Sequence, residues 1–251
     1  MKKFLLGAAA LMAIAAPGVA AAQSGHAGLS YTTSDDTDVD SIALSGSALL
    51  GANFQLDGGY ASLDGGGSSN ADFWNVGGHF FARSDSWLWG GYVGYDNIEA
   101  GGTSLDEWII AGETQFYADR TTFSGTLAYA QADYFVDVDQ WSLDGEARHF
   151  MTDNFSIQGN LGFATADGSG SSLDSTSYGI GAEWQMDGAP LSIYGGWQSV
   201  DFDGGGDISS FGVGARWNWG GGTLIERNRS GASLGRPQGF LERFYGGFTP
   251  H

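Results

Sequence analysis

Alternation of apolar and polar residues is the feature that most constrains this chain. In Asn154-Phe155-Ser156-Ile157-Gln158-Gly159-Asn160-Leu161-Gly162-Phe163 the odd positions carry Phe, Ile, Gly, Leu and Phe, and the even positions Asn, Ser, Gln, Asn and Gly. Successive side chains of a strand point to opposite faces, so such a segment has one apolar and one polar face. The same reading holds at Trp141-Ser142-Leu143-Asp144-Gly145-Glu146-Ala147-Arg148 and at Phe211-Gly212-Val213-Gly214-Ala215-Arg216-Trp217-Asn218-Trp219. Followed along the sequence, the pattern predicts strands near 25–33, 40–49, 52–63, 72–83, 86–97, 106–118, 121–133, 138–150, 153–166, 175–186, 190–201 and 208–219, and no helix after the first 22 residues.

The connections also alternate. Leu49-Leu50-Gly51, Ser84-Asp85, Asp119-Arg120, Met151-Thr152 and Asp187-Gly188-Ala189 read as tight turns. Ser34 to Val39, Asp64 to Ala71, Asn97 to Leu105, Asp167 to Asp174 and Phe202 to Asp207 read as longer loops, with Phe135-Val136-Asp137 a short exception. Short and long connections alternating along an even number of strands predict an up-and-down meander with two unlike ends.

Residues 1–22 read as an export signal: Lys2 and Lys3, an apolar run from Phe4 to Ala16, then small residues suited to cleavage before Gln23. A retained anchor fits less well, because the run falls short of the ~20 residues of a spanning helix. With no Cys, the chain has no disulfide framework and no thiolate metal site. A net charge of −19 would repel a phosphate backbone, which excludes a nucleic-acid binder.

An exported all-β chain could be a soluble sandwich or a membrane barrel. Three features favour the barrel. Lys is absent after Lys3, and the polar face is mainly Ser, Thr, Asn, Gln and Gly. Trp74, Trp87, Trp89, Trp108, Trp141, Trp184, Trp217 and Trp219 fall near predicted strand ends on the apolar face, where membrane barrels carry aromatic girdles. The predicted strands are also long enough for a tilted bilayer crossing, whereas globular strands usually run to about 5–6 residues. The expected fold is a closed antiparallel up-and-down transmembrane β-barrel over 23–219, followed by a tail at 220–251.

In this layout, and in its closing segment Phe211 to Trp219, the chain resembles bacterial outer-membrane β-barrels of the porin-like kind over Gly25 to about Trp219. That resemblance implies an outer-membrane location, recognition of the aromatic-ended last strand by barrel-assembly machinery, and contact with lipid and lipopolysaccharide. It also implies short turns in the periplasm, long loops outside, and both barrel ends of the chain in the periplasm. The departure from the pattern is the tail that follows Trp219. All but two of the 29 acidic residues lie before it, whereas it carries Arg227, Arg229, Arg236 and Arg243 against Glu226 and Glu242. Such asymmetry suggests a separate role: Ile225 to Leu241 touching peptidoglycan, a plug whose arginines meet interior carboxylates, or a disordered extension.

With the polar face inward, the expected pore lining is Asp57, His79, Arg83, Glu113, Gln115, Asp144, Glu146, Arg148, Glu183 and Arg216, with Asn53, Gln55, Asn75, Gln185 and Asn218 among them. Most of these charges fall on even-numbered strands near the short turns. Next-nearest strands are roughly 10 Å apart, so long side chains can approach across the strand between them. The ring they form could filter solutes or pair and fill a narrow interior. Small residues such as Ser41, Ala43, Ser45, Ser47, Gly59, Gly77, Gly179, Gly181, Gly212 and Gly214 favour an open, water-filled channel with a mild cation preference.

Catalytic and metal readings are weaker. The four histidines (His26, His79, His149 and His251) are scattered, and there is no Gly-x-Ser-x-Gly elbow or His-Glu-x-x-His. Asp201, Asp203 and Asp207 surround a Gly-rich bend but lack the closing acid of a calcium loop. No cofactor is implied. The sequence therefore points to a channel for passive diffusion of ions and small polar solutes. The alternative is a non-conducting structural or adhesive barrel working through its acidic loops or tail.

Overall fold

The computed structural model describes residues 22–35, 39–65, 70–133 and 137–245. The export segment lies outside these residues apart from Ala22, as do 36–38 of the first acidic loop, 66–69 of the second and 134–136 of the short exception. Twelve strands form one closed antiparallel barrel: β1 (Ala22–Ser34), β2 (Val39–Leu50), β3 (Phe54–Asp64), β4 (Asn70–Arg83), β5 (Trp87–Ala100), β6 (Thr103–Ala118), β7 (Thr121–Asp133), β8 (Asp137–Thr152), β9 (Phe155–Gly168), β10 (Ser171–Gln185), β11 (Leu191–Phe202) and β12 (Asp207–Trp219). Each strand pairs with its sequence neighbours. The ring closes where β1 meets β12, from Gly25 opposite Trp219 to Ser34 opposite Ser210. Closure leaves no unpaired sheet edge, which a bilayer would not tolerate.

The apolar face points outward. Leu29, Phe80, Trp89, Trp108, Ile110, Leu143, Ile180 and Trp217 are all exposed, the reverse of a soluble core and the arrangement required by a hydrocarbon solvent. Trp219 differs from the other tryptophans, because its ring folds over Gly25 across the closing seam. Towards the long-loop end, outward tyrosines repeatedly bond an aspartate on the next strand: Tyr60 to Asp72 at 2.6 Å, Tyr95 to Asp106 at 2.7 Å and Tyr129 to Asp139 at 2.5 Å. Tyr95 and Tyr129 also touch Trp108 and Trp141 respectively. An apolar ring with a polar tip suits the bilayer boundary, so this belt marks where the wall leaves the hydrocarbon.

Three expectations are corrected. The supposed loops Asn97 to Leu105 and Asp167 to Asp174 are mostly strand. β5 and β6 continue to a two-residue turn at Gly101 (φ 58°) and Gly102 (φ 86°), and β9 and β10 to one at Ser169 (φ 51°) and Gly170 (φ 81°). Two successive left-handed residues form the hairpin turn whose twist matches the strands, so the ladder runs past the membrane instead of opening into a loop. Asn53, expected to line the lumen, sits exposed in the turn before β3. The chain after the barrel also contains helix: α1 (Leu224–Ser230) and α2 (Phe240–Tyr245). Thr223 and Glu226 form a reciprocal capping box at the start of α1, a signature present in the sequence as Thr-x-x-Glu.

The tail runs inside the barrel. At the short-turn end, the Leu224 and Ile225 amides donate to Asn154 Oδ1 and the Asp153 carbonyl at 3.2 and 3.1 Å. Thr122 bonds Asn228 at 2.6 Å, and Arg229 donates to the Asp119 carbonyl at 2.7 Å. Leu234 then packs with Leu49, Phe81, Leu88 and Tyr117. Nearer the long-loop end, Leu241 packs with Ile98 and Leu105, while Phe240 lies against Ala132, Val138 and Ala166. The inward face is therefore not uniformly polar. One side carries aliphatic and aromatic groups, and these meet the apolar residues of the tail.

Candidate pore lining

The lining is built from alternate residues of every strand, and its charged members fall into three groups. In the first, His79 on β4 is fully buried, with Nδ1 2.8 Å from Glu113 Oε2 and Nε2 in a short contact with Asp57 Oδ2. Asp57 stands on the adjacent β3, whereas Glu113 reaches across β5 from β6. The Tyr92 ring of that intervening strand lies 4.7 Å from the imidazole. Gln55 Nε2 supplies a further bond to Asp57 at 2.9 Å and also reaches the Leu234 carbonyl at 2.7 Å.

The second group faces the other side of the lumen. Glu183 on β10 pairs with Arg216 on β12 at 3.5 Å, over the buried Ser192 of β11, and Glu146 pairs with Arg148 along β8 at 3.4 Å. Arg227 of α1 joins them at the edge of the same cavity. Burial lowers the Arg227 guanidinium to about 10, with Glu183 opposing that shift and Arg216 adding to it. The third group was not anticipated. Asp96 on β5 and Glu107 on β6 are paired in register and wholly buried. Arg236 of the tail donates to Asp96 at 2.5 Å and grips Glu242 with its other nitrogen. Burial acts to lower Arg236, yet Asp96 and Glu242 leave it well above the ordinary arginine range. Glu107 accepts from the Phe240 and Leu241 amides at 2.6 and 3.3 Å.

The remaining expected residues also meet the tail. Arg83 donates to the Gly231 carbonyl and Ser233 Oγ, both at 3.0 Å. Gln115 reaches the Ser233 carbonyl at 3.4 Å, and Asp144 accepts from Arg243 at 2.6 Å. Several of the small inward residues that suggested an open channel make room for wall side chains instead: a Cβ at Gly59 would meet Asn75, at Gly77 Tyr92, at Gly179 Asn160, at Gly181 Gln158 and at Gly214 Tyr194, and the tail runs through the space left over. Two cavities remain beside it, of about 130 and 90 Å³. The first is bounded by Asp57, Arg148, Glu183 and Arg216, and the second by Glu113, Gln115, Asp144 and Glu146.

Glu107 shares the parity of Glu113 and Gln115 and falls in the strand predicted at 106–118, so alternation could have placed it inside. Asp96 gave less warning. Leu88, Tyr92 and Ile98 share its face, and Trp87, Trp89 and Val93 the other, so polarity did not distinguish the two faces of β5. Asp201, Asp203 and Asp207 are exposed at a hairpin tip. Among the described residues no group of three or more His, Asp or Glu side chains is placed to hold a metal ion.

A closed barrel with an apolar exterior and a lumen lined by ionisable groups is an integral outer-membrane channel protein. A family model described as Gram-negative porin matches residues 91–227, more than half of the chain, and the chain belongs to that family. No curated protein sequence matches it. Among solved structures it is similar to the NanC porin (TM-score 0.59, 8% identity, covering 76% of this chain and 98% of that one). It is also similar to the KdgM porin in complex with disordered oligogalacturonate (TM-score 0.53, 9% identity, 76% and 98%). At such identities the likeness is one of fold.

Proposed function

We propose that small ions and polar solutes cross this outer-membrane channel by passive diffusion through the space between tail and wall. The observation that carries this reading is the pair of charged cavities flanking the tail. Each is far larger than the ~10–15 Å³ a single water needs, and both are lined by ionisable groups that would hold water and exchange counter-ions. Asp57, Glu113, Asp144, Glu146, Glu183, Arg148 and Arg216 are then the filter, with His79 and Arg83 bracing the wall and the tail beside it. Asp57, Asp96, Glu107, Glu113, Asp144, Glu146 and Glu183 outnumber Arg83, Arg148 and Arg216 on the wall. The tail, with four arginines against Glu226 and Glu242, reduces that excess without cancelling it, which supports a mild cation preference. On this reading the buried titratable groups set the field in the lumen and carry out no covalent chemistry. The tyrosine–aspartate belt would face lipid and lipopolysaccharide, and β12 would engage the assembly machinery.

Single-channel recording of the refolded full chain in a planar bilayer tests the reading. Discrete small steps are expected, with a reversal potential of cation sign across a salt gradient. Glu146→Gln with Glu183→Gln should move that potential towards zero. Silence from folded, inserted protein, or clear anion selectivity, would overturn it.

A further inference from the structure

Asp96 and Glu107 place two carboxylates side by side in the wall, both without solvent exposure. Burying such a pair is costly unless a cation and hydrogen-bond donors compensate. The wall arginines are committed elsewhere: Arg83 bonds Gly231 and Ser233, Arg148 pairs with Glu146, and Arg216 with Glu183. The barrel is thus formed around a cation it does not itself supply at this level. The guanidinium of Arg236 fills that place, bridging Asp96 of the wall and Glu242 of the tail through its two terminal nitrogens. One step further, Arg243 bonds Asp144 at 2.6 Å and Ser177 at 3.1 Å. Gly239 lets the Glu107 carboxylate approach the tail backbone, because a Cβ there would collide with it.

The two halves of the tail differ in the partners of their arginines and wall charges. The half near the short turns is fixed by the capped α1, by Leu234 in its apolar cluster and by hydrogen bonds to uncharged acceptors, those of Arg83 to Gly231 and Ser233 and of Arg229 to the Asp119 carbonyl among them. The half near the long-loop end also packs Leu241 and Phe240 against the wall, but it adds the ion pairs Arg236–Asp96 and Arg243–Asp144, and not all of their polar atoms are satisfied: Asp96 Oδ1, Asp144 Oδ2 and Arg243 Nε are buried without a partner. Charge-assisted contacts of this kind can be exchanged for a soluble ion of the same shape, whereas the apolar anchor cannot.

We propose that Asp96 and Asp144 are the wall acceptors of a guanidinium-binding site in the lumen, with Glu107 holding the tail backbone between them. Residues Arg236 to Arg243 occupy it as a self-ligand that restricts the pore, and soluble guanidinium compounds, arginine-bearing peptides among them, displace it. The proposal rests on the channel reading above and adds a ligand class and a gate to it. Arg supplies a planar fork that a lysine ammonium lacks, so the site should prefer guanidinium over ammonium at equal charge.

The full chain has no cysteine, so Ile98→Cys with Leu241→Cys introduces two thiols in one apolar cluster. These can be bridged by oxidation or by a short bis-thiol reagent. Currents would be recorded before and after reduction, with argininamide or lysinamide added on either side. Arg236→Gln, recorded alongside, weakens the self-ligand without cross-linking. Expected is a rise in open probability of at least about tenfold with argininamide, a smaller rise with lysinamide, no response while bridged, and recovery on reduction. Arg236→Gln should raise the open probability without any ligand. If bridged and reduced forms conduct alike and argininamide changes neither, the channel reading stands and the self-ligand falls. If Arg236→Gln opens the pore but argininamide and lysinamide act equally, the guanidinium site falls. Silence from every form, Arg236→Gln included, overturns both.

Discussion

Changing His79 to Leu removes the ring that separates two buried carboxylates. In the structure Asp57 and Glu113 each bond one imidazole nitrogen, and all three side chains are buried. Asp57 keeps the amide of Gln55, but Glu113 would be left facing Asp57 across an apolar gap closed by Tyr92. Breaking a buried ion pair by deleting one member typically costs about 3–5 kcal/mol, because the other charge stays buried and uncompensated. With a guanidinium slope of about 4 kcal/mol per molar, that amounts to a midpoint lowered by about 1 M. Guanidinium unfolding of the protein in lipid vesicles, followed by tryptophan fluorescence, would measure it. The same measurement on His79→Leu combined with Asp57→Asn and Glu113→Gln separates charge from packing. If uncompensated charge is the cause, the triple variant recovers most of the loss. A single-variant loss below about 1 kcal/mol, or an equal loss in the triple variant, would refute the reasoning.

Two further predictions concern the tail and the hairpins. Leu234→Ala leaves a hole among Leu49, Phe81, Leu88 and Tyr117 and should weaken docking of the tail by about 2–5 kcal/mol. Trypsin should then cut after Arg243 while the barrel itself resists; an unchanged cleavage rate would show that Leu234 is not the anchor. Gly102→Val places a branched side chain at a φ of 86° and should cost about 1–2 kcal/mol. Faster amide exchange in the last residues of β5 and first residues of β6 would reveal it, and unchanged protection would contradict the turn geometry.

Much of this architecture is local and could be read from the sequence. The two faces of β9 or β12 are written as alternate residues because lipid and lumen are opposite solvents, and each strand meets both along its whole length. Polarity therefore located Glu113, Glu183 and Arg216 on the inner face, and spacing placed Glu183 within reach of Arg216 across β11. Hairpins were less legible. Gly101 and Gly102 can form a loose loop or a two-residue turn, and the pairing of the flanking strands decides which.

The charge of the tail offered a plug as one of three readings, and alternation could not choose among them. Alternation assigns a residue to a face and is silent about what fills the space the faces enclose. Small inward residues leave space on a face without saying whether a neighbouring side chain, water or another part of the chain fills it. On the inward face of β5, Leu88 is covered by Leu234 and Ile98 by Leu241, both supplied by the tail. The buried pair Asp96 and Glu107 likewise makes sense only with Arg236 between Asp96 and Glu242, 140 residues further along the chain from Asp96. The sequence by itself determined the wall, because each strand answers to its own two solvents. Only the tertiary structure decided the interior, because charge balance and packing there join residues with no periodic relation.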